Sequence, residues 1–202
     1  MIRPRPYLSW TQLNTLETSE ELYIRRYILD EKMRVSPGMA FGKTVADSLE
    51  TGESTEDLLT DLILINLPKL ERRDKEVRTI LKYAEKEVPL LIKPDSASFD
   101  YRAILEYKTG AIGTPWTQKM ADTNGQLTFY DVGVECFTGY PAEELELIWL
   151  PTTIPPGKIM PELTGEIKRF PTKRTHLDRL KMKIRMLKAW KRIGEITERE
   201  LL

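Results

Sequence analysis

Two carboxylates and one amine stand at a spacing that could hold a divalent cation. Asp95 is followed, further along the chain, by Glu106 and Lys108, which are two positions apart. A hairpin of residues 95–99 and 102–108 would place Asp95 opposite Glu106. Side chains alternate along a strand, so Glu106 and Lys108 would share that face. This register predicts that the three groups converge, whereas a wider turn would place Asp95 elsewhere.

Such a set of groups suits hydrolysis of a phosphodiester. A bound metal polarises the phosphoryl oxygen and lowers the pKa of the attacking water. Asp95, Glu106 and the backbone carbonyl of Tyr107 are hard oxygen ligands of the kind that Mg²⁺ prefers. Lys108 could orient the water or stabilise the charge that develops on the phosphate. A Glu-x-Lys pair on a strand is, by itself, usually a solvated face, so this pair alone indicates no function.

The composition restricts which metal could serve. The chain has one cysteine, Cys136, and one histidine, His176, among 202 residues. An internal disulfide, a cluster held by four thiolates and a zinc site built from Cys and His are therefore excluded. A catalytic metal would be held mainly by carboxylates, which favours Mg²⁺ or Mn²⁺.

Hydropathy gives no sign of a membrane segment. No apolar run reaches the roughly 18 residues needed to cross a bilayer. No apolar signal core follows the N-terminal residues 1–6. We therefore expect no membrane partner and a cytoplasmic location, or the host cytoplasm if the protein is viral.

The pattern of elements predicts a mixed α/β (α+β) domain. Ser9 and Gln12 form a capping box, with Leu8 and Leu13 as a hydrophobic staple, so a helix should begin there. Alternating apolar residues predict short strands, and Thr175 with Asp178 caps a final basic helix. We expect one domain, 1–202, in which residues 1–87 are mainly helical, residues 88–150 form a catalytic core, and residues 151–202 form a loop and a basic helix. The further predicted helices span 19–30, 36–52, 54–67, 69–87 and 126–136, and the predicted strands span 88–92, 102–108, 144–150 and 165–170.

Several motifs occur in an order that resembles one nuclease family. The segment from Pro94-Asp95 to Glu106-Tyr107-Lys108-Thr109-Gly110 is similar to the core of the RecB-like branch of the PD-(D/E)xK superfamily. Three other segments also resemble motifs of that family, and together the motifs span roughly residues 8–150. They are the opening helix 8–13, the first motif 41–50 and the Gln-x-x-x-Tyr helix 126–130. The resemblance implies a restriction-endonuclease-like core, a small mixed sheet flanked by helices.

The resemblance also implies a role for particular residues. Asp95 and Glu106 correspond to metal ligands, and Lys108 to the catalytic lysine. Gln126 and Tyr130 correspond to a pair that supports the active site and touches DNA. From burial preference alone, Tyr130 is the better candidate for core packing.

The first motif departs from the family pattern. Family members often carry a histidine four residues after the motif glycine, where this chain has Ala46. Glu50 lies one turn beyond on the same helix face and could reach the metal instead, with Asp47 as the weaker candidate. Glu50 is equally well explained as a surface carboxylate. A single cysteine cannot hold an iron–sulfur cluster, which excludes the iron–sulfur subgroup of the family.

A net charge of zero hides a strong segregation of charge. Residues 168–192 contain 11 Lys and Arg and one acid, which leaves 20 basic and 30 acidic residues elsewhere. Such a segment suits a polyanion such as the DNA backbone, or is simply the solvated face of an amphipathic helix. Its apolar stripe is Leu177, Leu180, Ile184, Leu187 and Trp190, widened by Met182 and Met186. The candidate phosphate contacts are Lys173, Arg174, Arg179 and Lys183.

These observations predict a Mg²⁺- or Mn²⁺-dependent deoxyribonuclease. The resemblance implies an exonuclease-like enzyme of recombination, repair or phage-type DNA processing. The first alternative is a DNA-binding or scaffold member of the same fold with weak or no cleavage, which Ala46 favours. The second is a subunit that is active only within a larger complex. The sequence leaves open whether the chain binds a protein partner or forms a homo-oligomer.

Overall fold

A computed structural model describes residues 4–73 and 75–201 of the chain. It confirms the predicted mixed α/β class, with two sheets flanked by helices. Within these ranges no helix combines the length and apolar character that a membrane span requires. The helices are α1 (Trp10–Thr18), α2 (Glu20–Tyr23), α3 (Pro37–Thr51), α4 (Leu58–Ile65), α5 (Gln118–Asp122), α6 (Gly125–Thr138) and α7 (His176–Leu201). The strands are β1 (Leu8–Ser9), β2 (Arg72–Arg73), β3 (Val77–Tyr83), β4 (Lys86–Ile92), β5 (Ser96–Ala97), β6 (Ala103–Ala111), β7 (Glu144–Thr153), β8 (Glu162–Leu163) and β9 (Lys168–Thr172).

The two sheets meet where β4 leads into β5. The first sheet has the order β1-β4-β3, and the second has the order β2-β5-β6-β7-β8, with β9 also paired to β7. Strands β6 and β7 are parallel along their whole length, so α5 and α6 form the crossover that parallel strands require. Residues 93–95 join the two sheets, which places Asp95 at the junction.

The predicted helix ends are largely confirmed. The Gln12 N–H donates to Ser9 Oγ over 3.4 Å, and Leu8 and Leu13 are fully buried. Ser36 caps α3 at its N-terminus, and Gly52 ends that helix with a φ of 77°, a left-handed conformation that suits glycine. The cap of α7 is also formed, because Thr175 and Asp178 donate to and accept from each other. The predicted helix over 54–67 is shorter, at Leu58–Ile65, and that over 19–30 is α2 followed by a π-helical turn, Ile24–Ile28.

The helix predicted over residues 69–87 is wrong. Asp74 lies outside the described residues, but strands β2, β3 and the start of β4 occupy most of that range. Val77 and Leu81 are buried while Ile80 is 45% exposed, which is the alternation of a strand with one face on the core. Ala84 and Glu85 both have positive φ and form the two-residue hairpin turn between β3 and β4. The predicted boundary at residue 88 therefore falls inside β4.

The apolar stripe predicted for the C-terminal helix is also shifted. Leu177 is 55% exposed and Ile184 is 38% exposed, so neither faces the core. The helix packs instead against α6, β4 and α1. The predicted Met182, Met186 and Trp190 are buried, and the buried face continues past Trp190 to residues that the predicted stripe did not include. The buried residues of this face are Met182, Met186, Ala189, Trp190, Ile193, Ile196 and Thr197.

Candidate active site

The predicted register between Asp95 and Glu106 is confirmed. In the antiparallel pair of β5 and β6, Ser96 lies opposite Leu105 and Ala97 opposite Ile104, which places Asp95 opposite Glu106. The Tyr107 N–H donates to Asp95 Oδ2 over 2.7 Å and fixes that carboxylate against β6. The N–H and C=O of one strand residue point to the same side. The Tyr107 carbonyl therefore also faces the side of β6 on which Asp95 lies.

A chain of hydrogen bonds holds the lysine in place. Lys108 Nζ donates to Glu106 Oε1 over 2.5 Å and to Gln126 Oε1 over 2.9 Å. Gln126 Nε2 in turn donates to the Tyr130 hydroxyl over 2.9 Å. Glu106 is 1% exposed and the Lys108 side chain is 28% exposed, so the lysine spans from a buried carboxylate to open space. The structure thus brings together all four residues predicted as catalytic.

These groups line a cleft of about 310 Å³ between β6, α3 and α6. Gly42 lets α3 approach β6 closely, since a Cβ at this position would lie 3.1 Å from Thr109 Oγ1. Val45 and Leu49 were not predicted as site residues, although the spacing 42, 45, 46 and 49 is that of one helix face. The lining residues are Gly42, Val45, Ala46, Leu49, Asp95, Glu106, Tyr107, Lys108, Thr109 and Gln126.

The cleft contains two adjacent carboxylates, Asp95 and Glu106, which repel each other when both are ionised. Burial and repulsion by Glu106 raise the pKa of Asp95 to about 8, although Lys108 and the Tyr107 N–H oppose this. Burial opposes the charged form of Lys108, but attraction to Glu106 and Asp95 outweighs it and raises the lysine pKa. Lys108 is therefore a cation at neutral pH. The single positive charge of Lys108 cannot neutralise Asp95 and Glu106 when both carboxylates are ionised.

The donors of the cleft fit a hard divalent cation. Asp95 and Glu106 offer carboxylate oxygens, with the Tyr107 carbonyl facing the same side, and a cation would relieve the repulsion that raises the Asp95 pKa. No third acid, His or Cys completes a ligand cluster among residues 4–73 and 75–201. Water would have to fill the other coordination positions, as is usual for Mg²⁺.

Glu50 is not part of this cleft. Its carboxylate lies 3.3 Å from Lys93 Nζ, in an ion pair with both side chains about two-fifths exposed. Asp47, the weaker candidate, pairs with Lys43 on the exposed side of α3. Ala46, where the resembling family often has histidine, does line the cleft. The structure therefore does not bring Glu50 to Asp95 and Glu106 as the sequence suggested.

The N-terminal helix positions Gln126 by contact with the residue before it. A Cβ on Gly125 would lie 2.3 Å from Trp10 Cη2, so the indole packs directly on the backbone at the start of α6. Asn124 caps this helix by accepting from the Leu127 N–H over 2.9 Å. The helix that begins at Ser9 thus fixes the end of α6 that carries Gln126.

The structure places most of the predicted DNA contacts in hydrogen bonds or ion pairs within the protein. Arg179 pairs with the buried Asp131 over 3.3 Å, and Lys183 pairs with Glu135 over 2.8 Å, so both charges are used internally. Tyr130 is 6% exposed and serves the Gln126 network rather than a surface.

Arg174, another predicted phosphate contact, directs its guanidinium into the protein. Its side chain is buried, and its guanidinium donates to Thr128 Oγ1 over 2.6 Å and to Thr172 Oγ1 over 2.7 Å. It also donates to the carbonyls of Ala121 over 2.9 Å and Asn124 over 3.2 Å. Its donors are thus directed at internal acceptors that join α5, α6 and β9. Of the predicted phosphate contacts, Lys173 keeps an exposed side chain.

Comparison with known proteins identifies similar folds. No protein-family model matches the chain, and no curated protein matches it. A solved structure from Eubacterium rectale named "Putative exonuclease" aligns over 96% of this chain and 82% of its own, with a TM-score of 0.60 and 14% identity. A phage related exonuclease from Haemophilus somnus 129PT aligns over 94% and 82%, with a TM-score of 0.54 and 10% identity. At these identities the likeness establishes a shared fold.

Proposed function

We propose that this chain is a metal-dependent DNA nuclease of the PD-(D/E)xK superfamily, in its RecB-like branch. The observation that carries the proposal is the convergence of Asp95, Glu106, Lys108 and Gln126 on one cleft. The order of sequence motifs supports the superfamily. The names of the two similar structures support exonuclease activity.

Asp95, Glu106 and the Tyr107 carbonyl would hold Mg²⁺ or Mn²⁺. When bound, the cation supplies Lewis acidity towards a phosphoryl oxygen and lowers the pKa of a nearby water. The two carboxylates set its position, because one is fixed by the Tyr107 N–H and the other by Lys108. Binding of the cation also keeps Asp95 ionised at neutral pH, since it opposes the repulsion between the acids.

Lys108 acts on the reacting phosphate. Its ammonium group keeps open space on one side and is held on the other by Glu106 and Gln126. From there it can orient the attacking water or neutralise charge on the phosphorane-like transition state. Water adds to phosphorus and releases a proton to solvent, the bond to the leaving ester oxygen breaks, and that oxygen takes up a proton from solvent. Gln126 is a positioning residue, because it holds the lysine and is itself held by Tyr130.

The partner in this proposal is DNA bound through its backbone, and the setting is recombination, repair or phage-type DNA processing. The alternative is a binding or scaffold member of the same fold, and Ala46 on the cleft wall favours it because a common ligand of the resembling family is missing there. A subunit that needs a larger complex would also be inert alone.

A cleavage assay decides between these functions. The purified chain of 202 residues is incubated with end-labelled linear DNA in Mg²⁺, in Mn²⁺ and in chelator, beside the variant Asp95→Ala. The matched control is Asp47→Ala, which removes an exposed carboxylate from α3 without touching the cleft. We expect metal-dependent cutting by the wild type and the control, and at least about a hundredfold loss in Asp95→Ala. Binding of DNA without cutting in either metal would instead support the scaffold function.

A further inference from the structure

A second groove lies beside the catalytic cleft. It has a volume of about 480 Å³ and shares the lining residues Gly42 and Thr109 with the cleft. Its walls are the first turns of α3 and the ends of β6 and β7, together with Ile154 and Pro161. Lys108 precedes Thr109 on β6, so the lysine of the cleft lies next to a residue that lines both the cleft and this groove.

The chemistry of the groove differs from that of the cleft. None of the residues that line it, all of which fall in the described ranges, carries a charge. Its lining combines apolar side chains with the hydroxyls of Ser36, Thr109, Thr152 and Thr153. Met39 is 62% exposed and Ile154 is 59% exposed, and both line this groove, so it offers apolar side chains that a ligand can reach. A surface of this kind does not suit phosphate.

We infer that this groove receives the base of one unpaired nucleotide next to the scissile phosphate. The inference rests on the proposed nuclease function and names the form of DNA that the site takes. A phosphate in the cleft has nucleosides attached on both sides, and the groove is contiguous with the cleft. Bases stack on apolar side chains largely regardless of sequence, and hydroxyls can satisfy their edges. A groove of this size holds a ligand of nucleoside size, so a base must leave its pair to enter.

Two glycines provide a matched pair of variants. A Cβ at Gly38 would meet nothing within 4 Å, so Gly38→Leu places bulk in or over the groove without a clash and raises helix propensity in α3. Gly113→Leu makes the same change in another open position, which is outside the groove lining. Met39→Ala removes an exposed side chain of the groove and tests the same surface by loss rather than by filling.

The experiment measures affinity for single-stranded oligonucleotides in which one abasic residue is moved along the strand. Fluorescence anisotropy is recorded with Ca²⁺, and cleavage is measured in parallel with Mn²⁺. In the wild type and Gly113→Leu, we expect one or two adjacent abasic positions to weaken binding about tenfold. In Gly38→Leu, the intact strand should bind about tenfold more weakly than it binds the wild type. An abasic residue at those positions should not lower the affinity of this variant any further. Met39→Ala should show a smaller loss in the same direction.

The two proposals fail in different ways. Normal metal-dependent cleavage with no sensitive abasic position, or with equal sensitivity in Gly38→Leu, would overturn the groove and leave the nuclease standing. If one abasic position weakens binding in the wild type but not in Gly38→Leu, and the chain cleaves no DNA, the groove proposal is supported and the catalytic proposal is overturned. Failure to bind any single strand would overturn the groove. Equal affinity for blunt duplex and frayed ends would do the same, because only a frayed end presents an unpaired base.

Discussion

The candidate active-site cleft and the surface between α7 and the N-terminal helices are both rich in charge, but their charges are paired differently. On α7, Arg185 pairs with Glu17 over 2.5 Å, and Arg192 pairs with Glu20 over 2.7 Å. The acidic N-terminal helices thus neutralise some of the charge on the basic helix. In the cleft, Asp95 and Glu106 face one ammonium group, and repulsion between the two acids remains.

This comparison distinguishes charged side chains that stabilise the fold from charged side chains that are available to a ligand. A structural charge such as Arg174 has its donors satisfied within the protein, and its removal should affect stability. A charge that can meet a ligand is held by internal partners and also lines a cleft, as Lys108 does. Charges that are paired within the protein help to define the fold. Charges that line a cleft remain able to bind a ligand.

The largest effect that separates the two regions should come from Lys108→Met. We expect cleavage to fall about a hundred- to thousandfold, because the charge on the transition state loses its stabilising cation. The fold should persist, since the methionine keeps the apolar stem in place. Cleavage rate and thermal unfolding are measured together, with Arg192→Met as the control. That control removes a surface ion pair, so it should leave the rate unchanged and shift stability by about 0–1 kcal/mol. Equal loss of rate in both variants would contradict the distinction.

Arg174→Met should show the opposite pattern. The substitution leaves several buried acceptors without donors, so we expect the free energy of unfolding to fall by about 2–4 kcal/mol. Arg174→Lys should recover only some of this, because lysine lacks the planar fork that reaches acceptors on three elements. Urea denaturation measures the stability, and DNA affinity is measured at a temperature where the variant stays folded. A loss of affinity without a loss of stability would show that Arg174 contacts DNA after all.

The raised pKa of Asp95 should make the stability of the protein depend on pH. The pKa of Asp95 is raised from 3.8 to about 8 in the folded state, so between these values the folded chain holds a proton that the unfolded chain has lost. The free energy of unfolding should therefore fall as pH rises through this window, by about 1–3 kcal/mol because the carboxylate keeps partial contact with solvent. Asp95→Asn should remove most of this slope and be more stable than the wild type above pH 8.

Urea denaturation from pH 5 to pH 9 in the presence of chelator measures this slope. Added Mg²⁺ should then stabilise the wild type more at high pH, when cation and proton no longer compete, and should stabilise Asp95→Asn less. A wild-type slope that matches that of Asp95→Asn would show that Asp95 titrates normally. Serine or glycine substitutions at Asp95 are poorer probes, because they also remove the acceptor of the Tyr107 N–H.

The contrast between the two regions also explains what sequence reasoning could reach. The register of Asp95 and Glu106 could be predicted because it depends on local geometry: a short turn and the twofold alternation of side chains. The cap at Ser9 and the end of α3 at Gly52 are local for the same reason. The ordered motifs added Gln126, which is far along the chain but reaches Lys108.

What could not be predicted depends on contacts between distant segments. The acceptors of Arg174 come from α5, α6 and β9, and no local pattern indicates that they surround one guanidinium. Residues 77–83 have charged and helix-favouring neighbours, and only pairing with β4 decides that they form a strand. The Glu50 carboxylate follows its helix face as expected, but Lys93 from the junction between the sheets pairs with it.

The smallest predicted effect is a gain rather than a loss, from Ala46→His. This residue lies on the cleft wall, exposed and helical, so the substitution should cost less than about 1 kcal/mol of stability. If a cation binds between Asp95 and Glu106, an imidazole nitrogen at this position could join its ligands and would favour Mn²⁺ over Mg²⁺. We expect Mn²⁺ affinity, measured by calorimetry, to rise roughly tenfold above pH 7, equivalent to about 1.4 kcal/mol.

Two checks sharpen that result. The gain should disappear below about pH 6, where the imidazole is protonated and no longer binds metal. Asp47→His, at the next position on α3, presents the same side chain away from the cleft and should give no gain. A rise in both variants would indicate a nonspecific surface effect. If Mn²⁺ affinity is unchanged in Ala46→His while Asp95→Ala abolishes binding, the cation lies beyond the reach of α3, and the two β-strand acids hold it without help from that helix.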